Sequence, residues 1–382
     1  MSAITTARIL RAGTSRIGNA RVNIRLNSVR FGSRFLNMKA LVYQGNGKCG
    51  LEDRPVPKIK EASDAIVKVV YTTICGTDTH ILHGDVPTCK PGTILGHEGV
   101  GVVEEPGPGV SRFKKGDRVL INCISSCATC NYCRRGMPSH CVSGGWILGN
   151  TIDGTQAEYV RIPFADSGLH QVPRGVDEKA LVMLSDIFPT GLECGVQNGK
   201  VQPGSTVAIV GAGPVGLAAL MTSKLYSPSL VIMIDRDPSR LKVAKKFGAD
   251  HTINSAEADP LELVMKLTDN VGCDTVMEAV GVPETLEMAQ DLVAPGGTVA
   301  NVGVHGTSCL FKVEKLWSQN ISLTTRLVDT VTTPMLLKLF ATGGIQPGQL
   351  ITHEFSFTDM AQAYTTFKAA AQHDALKMLI TV

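Results

Sequence analysis

The pattern of hydrophobic and polar positions changes near residue 190. Before that point, short β-rich stretches alternate with turns that contain Gly and Pro, such as the run at residues 105–109. We predict strands over residues 65–73, 99–105 and 118–121. Short strands of this kind favour a small β-barrel or sandwich.

Beyond residue 190, apolar strand-like runs alternate with segments of helical length. This alternation is typical of a doubly wound parallel sheet, so we predict an α/β protein. After about residue 330 the pattern becomes irregular and ends in a strand-like segment, 376–382. The predicted strands are 206–210, 230–235, 274–278 and 298–302, and the predicted helices are 214–225 and 238–247.

Length and hydropathy set the class of protein. The 382 residues suggest two domains, and 43% hydrophobic residues with 19% charged residues indicate a globular chain. The longest apolar run, 207–221, contains three glycines and a proline. It is shorter than the roughly 18 residues that a membrane span needs, so no membrane partner is predicted.

The positive charge is concentrated in the first 37 residues. They carry seven arginines and no Lys, Asp or Glu, whereas the whole chain has a net charge of +3, so the remainder is acidic. An acidic body argues against nucleic acid as a partner. The Arg-rich, acid-free leader is typical of a mitochondrial transit peptide, and residues 34–36 resemble a matrix-protease site. The alternative is a basic tail on a cytoplasmic protein.

Four cysteines form a compact group with the spacing of a metal site. Cys123 is a fifth cysteine nearby, and we assign it to a strand. Four thiolates complete a tetrahedral zinc shell and leave no position for substrate, which indicates a structural site. The four are Cys127, Cys130, Cys133 and Cys141.

A glycine-rich turn follows the first strand of the predicted parallel sheet. Gly211, Gly213 and Gly216 would let the backbone approach a pyrophosphate at a helix N-terminus. Asp235 ends the next strand, where an acid binds the ribose hydroxyls of NAD and repels the phosphate of NADP. Arg236 beside it is the feature that would favour NADP instead.

A catalytic zinc needs three protein ligands and one open position. Cys75 and His97 are candidates, since each lies in a Gly-containing turn after a predicted strand. Together with Thr77, Asp78, Asp186 and the motifs above, they make the chain resemble the zinc-dependent alcohol dehydrogenases of the medium-chain dehydrogenase/reductase superfamily, and most closely the microbial secondary-alcohol branch.

The resemblance extends over residues 38–382 and implies an architecture. A GroES-like catalytic domain, 38–187 completed by 328–382, would hold a Rossmann NAD-binding domain, 188–327, with the active site in the cleft between them. The short stretch between Cys141 and Tyr159 resembles that of tetrameric microbial enzymes, so a homotetramer is expected.

The resemblance also implies roles for single residues. Cys75, His97 and Asp186 would bind the catalytic zinc, with Glu98 beside the metal and Asp78 orienting His97. Thr77 would contact the substrate oxygen, His80 would relay its proton, and Trp146 would line the substrate pocket. The cofactor residues would be Thr190, Val215, Val302, Arg240 near the adenosine ribose, and Lys377 at the pyrophosphate.

Cys194 is the alternative third ligand. It lies eight residues beyond Asp186 in a predicted helix, so its side chain would have to reach back two turns, roughly 11 Å. We therefore expect Asp186 to be the ligand.

The function that follows is reversible oxidation of a small-molecule alcohol, secondary or medium-size primary, with zinc and NAD as cofactors. A polyol or amino-alcohol dehydrogenase of the same superfamily is the first alternative. A zinc-retaining protein that has lost catalysis is the second.

Overall fold

Two large β-sheets organise residues 37–382, which are the part of the chain that this computed structural model describes. The predicted transit peptide, 1–37, lies outside the described residues except for Asn37. Within the described residues, a two-stranded antiparallel hairpin accompanies the two sheets. It is formed by β1 (Asn37–Gly45) and β2 (Lys48–Pro55).

The first large sheet is mixed and has seven strands. Its order is β14-β15-β3-β4-β5-β7, and β6 pairs with β3. Most neighbours are antiparallel, but β14 and β15 are parallel. The strands are β3 (Ala65–Thr73), β4 (Gly99–Pro106), β5 (Arg118–Ile121), β6 (Tyr159–Ile162), β7 (Leu169–Gln171), β14 (Ile351–Ser356) and β15 (Lys377–Thr381).

The second large sheet is parallel, and its order is β10-β9-β8-β11-β12-β13. Numbered from its first strand, this is the order 3-2-1-4-5-6 of a dinucleotide-binding sheet. Its strands are β8 (Thr206–Val210), β9 (Leu230–Asp235), β10 (His251–Asn254), β11 (Cys273–Glu278), β12 (Val293–Asn301) and β13 (Ser322–Thr325).

Helices pack around these sheets and join them. In the first half they are α1 (Gly76–His83), α2 (Asn131–Arg134), α3 (Ala165–Gly168), α4 (Glu178–Leu181) and α5 (Ile187–Thr190), which continues as a π-helix over Gly191–Gln197. In the second half they are α6 (Pro214–Ser223), α7 (Pro238–Lys246), α8 (Pro260–Leu267), α9 (Pro283–Leu292), α10 (Val313–Leu316), α11 (Thr333–Ala341) and α12 (Met360–Lys368).

The strands that the sequence predicted from apolar runs are confirmed. β3, β5, β8 and β9 have the predicted bounds, and β4, β11 and β12 overlap their predictions. Burial explains this success, since four of the five residues of β8 are fully enclosed by helices and neighbouring strands. Cys123, which we assigned to a strand, lies two residues beyond the end of β5.

The chain returns to its first sheet after the parallel sheet is complete. β15 pairs with β3 through Leu379 opposite Thr73, so the C-terminal segment completes the mixed sheet. The described residues form one compact unit, and the domain boundaries at 187 and 327 remain predictions. Within the described range, no helix is both long and apolar enough to cross a bilayer.

Candidate catalytic and metal sites

Three side chains from separate turns meet near the point where β3 ends and β4 begins. Cys75 precedes α1, His97 precedes β4, and Asp186 precedes α5. Asp186 Oδ2 lies 3.7 Å from Cys75 Sγ and 3.2 Å from His97 Nε2. All three donor atoms lie within 4.8 Å of one another. The structure therefore brings together the three residues that the resemblance assigned to a catalytic zinc.

The separations fit a zinc ion. Ligands at zinc distances in a tetrahedron would place sulfur and oxygen about 3.6 Å apart, and nitrogen and oxygen about 3.4 Å apart. The observed 3.7 and 3.2 Å match these values closely. A thiolate, a carboxylate and a neutral imidazole also balance the two charges of Zn²⁺, so the donor set suits this metal in chemistry as well as in size.

The acid and the imidazole at this site favour their charged forms when no metal is present. Burial opposes the charge on Asp186, but its contact with His97 and the hydroxyl of Thr190 lower its pKa to about 2. Burial alone would lower the pKa of His97, yet Asp186 and Cys75 raise it well above its usual value. The site therefore holds Asp186 ionised and ready to bind a cation.

Asp186 does not cap the helix that follows it. It occupies the N-cap position of α5, but its side chain accepts no capping hydrogen bond from the helix backbone. Instead Oδ1 accepts from Thr190 Oγ1 at 2.7 Å, and Oδ2 faces His97 and Cys75. The carboxylate is thus turned toward the candidate metal position.

Two further cysteines border this site, which the sequence did not predict. Cys123 Sγ lies 3.6 Å from Asp186 Oδ1, and Cys194 lines the same cleft as Asp186. Cys194 is closer to the site than the sequence predicted, because it lines the same cleft as Asp186 and Thr190. The chain changes from an α-helix to a π-helix at Gly191, and Cys194 lies in the π-helical part. It still lies outside the group of three donors.

Glu98 and Lys377 form a buried ion pair beside the donors. Lys377 Nζ lies 2.5 Å from Glu98 Oε2 and donates to the carbonyl of Ile74, and both charged residues are only 1% exposed. Burial lowers the pKa of Lys377, but Glu98, Cys75 and Asp186 together more than compensate, so that pKa is raised. The structure thus differs from the prediction for Lys377, because its ammonium is enclosed against Glu98 and lines neither the cleft nor the cavity beside Asp235.

Asp78 also differs from its predicted role. Its Oδ2 accepts from the backbone N–H of Cys75 at 2.9 Å and from Gln156 Nε2 at 3.1 Å. It makes no hydrogen bond to His97 in the described structure, and its Oδ1 is buried without a partner. Asp78 therefore fixes the turn that carries Cys75 and acts on His97 only through its charge.

The four-cysteine group forms a second donor set, with all four sulfurs within 4.8 Å of one another. Cys130 Sγ and Cys133 Sγ are 3.5 Å apart, and Cys127 Sγ and Cys133 Sγ are 4.0 Å apart. Sulfurs around a tetrahedral zinc lie about 3.8 Å apart, between these values. Hydrogen bonds from Thr129 lower the pKa of Cys127 to about 6, whereas burial and the neighbouring thiols raise the pKa of Cys133 to about 12. A metal requires thiolates, so its binding here would release protons.

The catalytic donors open onto a cleft of about 460 Å³ between the two sheets. Thr77 and His80 line it, as do Thr190, Val215 and Val302. His80 Nδ1 donates to Asp85 Oδ2 at 3.0 Å, a partner that we did not predict from the sequence. The predicted catalytic and nicotinamide residues thus face a common space.

A smaller apolar recess of about 100 Å³ adjoins this cleft. Trp146 forms one wall. Its ring meets the ring of His97 edge-on, with the two ring centroids 6.2 Å apart. Thr77, His80 and Asp186 border both the recess and the cleft. Sequence reasoning missed the other residues that line the recess, because they come from four distant segments: Val86, Cys123, Ile124, Val304, Leu327 and Val328.

The glycine-rich turn has no room for a side chain at one of its glycines and open space beside another. A Cβ on Gly216 would lie 1.8 Å from the carbonyl of Gly211, so only glycine fits there. Gly213 is different, since a Cβ there would meet only Arg240 Nη1, at 3.9 Å. The turn is therefore tightly packed on one side and open toward Arg240 on the other, as a phosphate cradle requires.

Asp235 closes the glycine-rich turn from the end of β9. Its Oδ2 accepts from Ala212 N–H at 2.6 Å and its Oδ1 from Asp237 N–H at 2.9 Å. Each carboxylate oxygen keeps a free lone pair. Asp235, Arg236 and Arg240 line a cavity of about 550 Å³ that is separate from the cleft.

Two family models match the chain. One is described as the alcohol dehydrogenase GroES-like domain and covers residues 61–174; the other is described as zinc-binding dehydrogenase and covers residues 214–342. These matches define a zinc-dependent oxidoreductase with a GroES-like domain and a Rossmann-like parallel sheet, which confirms the predicted fold class.

Curated relatives cover almost the whole described chain. An alcohol dehydrogenase of Cupriavidus necator is 34% identical over 362 residues, spanning 89% of this chain and 97% of its own. A sorbitol dehydrogenase of Halalkalibacterium halodurans is 33% identical over 350 residues, spanning 90% of this chain and 99% of its own. The chain belongs to the zinc-dependent alcohol dehydrogenase family, and the predicted family and enzyme class are confirmed.

Solved structures share the same fold. A zinc-dependent alcohol dehydrogenase 2 from Streptococcus pneumonia, in its apo form, has a TM-score of 0.87 and 50% identity over 90% of this chain and 98% of that one. An alcohol dehydrogenase of Escherichia coli CFT073 complexed with NADH has a TM-score of 0.82 and 28% identity, over 91% of this chain and 99% of that one. A zinc-binding dehydrogenase of Sinorhizobium meliloti 1021 bound to NADP has a TM-score of 0.80 and 27% identity, over 91% and 100%.

Proposed function

We propose that this protein oxidises a secondary or medium-size primary alcohol reversibly, with NAD as the hydride acceptor. One observation carries the proposal. Cys75 and Asp186, which meet His97 in one donor group, line the same cleft as Val215 and Val302 of the dinucleotide-type half of the chain. A substrate oxygen at the donors and a nicotinamide beside Val215 and Val302 would then share a single space.

The two donor sets would hold two zinc ions in each subunit. Cys75, His97 and Asp186 would bind the catalytic ion, and the four-cysteine group would bind the structural one. A zinc ion with an open position supplies a Lewis acid, which lowers the pKa of an alcohol hydroxyl. The buried ion pair of Glu98 with Lys377 would hold the carboxylate of Glu98 in a fixed position beside the donors.

Thr77 and His80 would move the substrate proton. Thr77 Oγ1 lies 3.6 Å from Cys75 Sγ and borders both the cleft and the recess, so it can accept a hydrogen bond from an alcohol bound there. Asp85 accepts from Nδ1–H of His80, which leaves the lone pair of Nε2 free to take a proton. The half-exposed His80 would then release that proton to solvent.

NAD is favoured over NADP by the chemistry at the end of β9. The free lone pairs of Asp235 suit ribose hydroxyls, and its negative charge would repel a 2′-phosphate. Arg240 lies over Gly213 on the open side of the turn, where it would face the adenosine end of the cofactor. Exposed Arg236 supports the NADP alternative, so the preference between the two cofactors requires measurement.

The recess supports an apolar substituent on the substrate. Trp146, Ile124, Leu327 and Val328 give it apolar walls, and about 100 Å³ holds only a few carbon atoms. The similarity to a sorbitol dehydrogenase keeps the polyol alternative open. Purified enzyme should therefore be assayed against primary alcohols, secondary alcohols and polyols, with NAD⁺ and with NADP⁺. Faster turnover of polyols than of simple alcohols would overturn the proposed substrate class.

We also propose a homotetramer located in the mitochondrial matrix. Both rest on sequence features, namely the short stretch between Cys141 and Tyr159 and the Arg-rich leader. Light scattering on the purified protein tests the assembly. A fluorescent protein fused behind residues 1–37 tests the import, and a uniformly cytoplasmic signal would exclude it.

A further inference from the structure

A cysteine, a histidine and a glutamate are hydrogen-bonded in series on the parallel sheet, outside the proposed chemistry. Cys309 Sγ lies 3.0 Å from His305 Nδ1. The other ring nitrogen, Nε2, lies 2.8 Å from Asn301 Oδ1 and 3.2 Å from Glu278 Oε2. We propose that Cys309 is a thiol–disulfide exchange site, activated by His305 and Glu278, whose modification weakens cofactor binding in the cleft.

The hydrogen bonds assign a function to each ring nitrogen. A carboxylate and an amide oxygen only accept, so Nε2 carries the hydrogen and Nδ1 presents its lone pair to the thiol. Nδ1 can therefore take the proton of Cys309. The thiolate is the reactive form of cysteine, and a base within hydrogen-bond reach is how such nucleophiles are activated.

Glu278 is held firmly enough to orient the imidazole. It is fully buried at the end of β11. Its Oε1 accepts from the backbone N–H groups of Val280 and Gly281 and from the hydroxyl of Thr285, at 2.7–2.9 Å. Its Oε2 is left for His305. One oxygen of the buried carboxylate is fixed by three donors, and the other faces the imidazole. The carboxylate is therefore a rigid support for the ring.

Exposure distinguishes Cys309 from the other cysteines. Five of the eleven belong to the two metal-donor sets, and Cys89, Cys123, Cys194 and Cys273 are buried. Only Cys49 and Cys309 remain partly exposed. Burial raises the pKa of Cys49, and no base is hydrogen-bonded to it in the described structure. Cys49 is therefore an internal reference for a partly exposed but unactivated thiol.

The proposed reaction is an exchange with a small-molecule disulfide. His305 Nδ1 takes the proton of Cys309, and the thiolate attacks one sulfur of the disulfide. The bond between the two sulfurs of the reagent breaks as the new bond to Cys309 forms. The departing thiolate takes the proton from His305. Cys309 is oxidised to a mixed disulfide, and half of the reagent is reduced to a thiol.

The loop that carries Cys309 connects it to the cleft. Asn301, Val302, Gly303 and Val304 line the cleft directly before His305. A Cβ on Gly303 would lie 2.5 Å from Glu278 Oε2, so the carboxylate packs against the cleft-lining backbone. A bulky group on Cys309 would displace His305 and disturb these residues, which face the proposed nicotinamide position.

The test uses zinc-loaded enzyme treated with oxidised glutathione and mapped by mass spectrometry. We expect Cys309 to form the mixed disulfide at least about tenfold faster than Cys49, and His305→Gln to slow it to a similar extent, since a positioned base contributes a large factor to such a step. NADH titration by fluorescence should show weaker binding after modification. Cys309→Ser should keep the unmodified affinity and resist the reagent.

A relocated cysteine separates activation from exposure. Ser308 is exposed and adjacent, so the double variant Ser308→Cys, Cys309→Ser places a thiol in the same loop without the contact to His305. We expect it to react as slowly as Cys49. If it reacts as fast as the native Cys309, or if Cys309 and Cys49 react alike, the proposed activation is wrong. Unchanged NADH affinity after full modification would overturn the link to the cleft.

Discussion

The ammonium of Lys377 lies 2.5 Å from Glu98, and the two residues are 279 positions apart in the chain. Both are enclosed beside the candidate catalytic donors. The pair joins β15 to the turn that carries His97, so the last strand of the mixed sheet supports the site directly.

Lys377→Met should destabilise the protein strongly. The carboxylate of Glu98 would remain buried without its partner, which costs about 3–5 kcal/mol of unfolding free energy in such cases. Urea denaturation measures the loss. The double variant Lys377→Met, Glu98→Gln should recover most of the lost unfolding free energy, because the buried charge is removed. Lys39→Met is the control, because its ion pair with Asp53 is exposed and should contribute less than about 1 kcal/mol. Normal stability with weaker NAD binding would instead restore the pyrophosphate prediction.

The protein should bind two zinc ions per subunit, with different consequences on removal. Cys127→Ser should lose one ion and unfold at lower temperature, because a closed four-thiolate site contributes to folding. His97→Ala should lose the other ion and its activity while the fold persists. Elemental analysis and thermal unfolding measure both, with Cys49→Ser as the matched control. A single ion in the wild type, unaffected by Cys127→Ser, would rule out the structural site.

Asp186, rather than either nearby cysteine, should bind the catalytic zinc. Asp186→Ala should lose that ion and the activity together, and the structural ion should stay. Cys194→Ala and Cys123→Ala should each retain both ions, because neither sulfur belongs to the group of three donors. Metal content per subunit distinguishes the variants. Loss of zinc from Cys194→Ala with retention in Asp186→Ala would reverse the assignment.

Asp235 should set the cofactor preference. We expect kcat/KM to favour NAD⁺ over NADP⁺ by at least about tenfold, a difference of about 1.4 kcal/mol in transition-state stabilisation. Asp235→Gly should narrow the gap by removing the charge that repels a 2′-phosphate. Arg236→Ala tests the opposing residue. Equal use of both cofactors by the wild type would show that Arg236 decides the preference.

Stability should fall in acid because of His170. Burial, with a contribution from Arg112, lowers its pKa to about 4, whereas the unfolded value is about 6.5. The unfolded chain therefore binds the proton first, and stability is lost as pH falls from about 6.5 to about 4, by about 3 kcal/mol in all. His170 accepts from Asn122 Nδ2 at 2.9 Å, and His170→Gln keeps an acceptor.

Urea denaturation of both proteins at pH 7 and near pH 4.5 isolates this contribution, since any zinc release in acid affects both. The wild type should lose more free energy of unfolding than His170→Gln does. An equal loss of unfolding free energy in the two proteins would contradict the lowered pKa of His170.

The sequence predicted what local patterns determine. β8 and β9 were found with their correct bounds because they are buried apolar runs between Gly- and Pro-containing turns. The donors Cys75, His97 and Asp186 were found because their motifs resemble a known family. Lys377 was misplaced, since nothing beside it indicates a partner 279 residues away. The π-helix over Gly191–Gln197, which brings Cys194 to the cleft, has no sequence pattern that we recognise.

The position of β15 also constrains how the molecule is made. β3 leaves the ribosome before any strand of the parallel sheet, yet its neighbour β15 is synthesised only after all six of them. Domains usually fold in the order in which they emerge. Here the parallel sheet can fold during translation, while residues 71–73 of β3 wait for β15 and residues 65–68 can already pair with β6. The mixed sheet is therefore completed last, and Lys377 reaches Glu98 only after the parallel sheet has been synthesised.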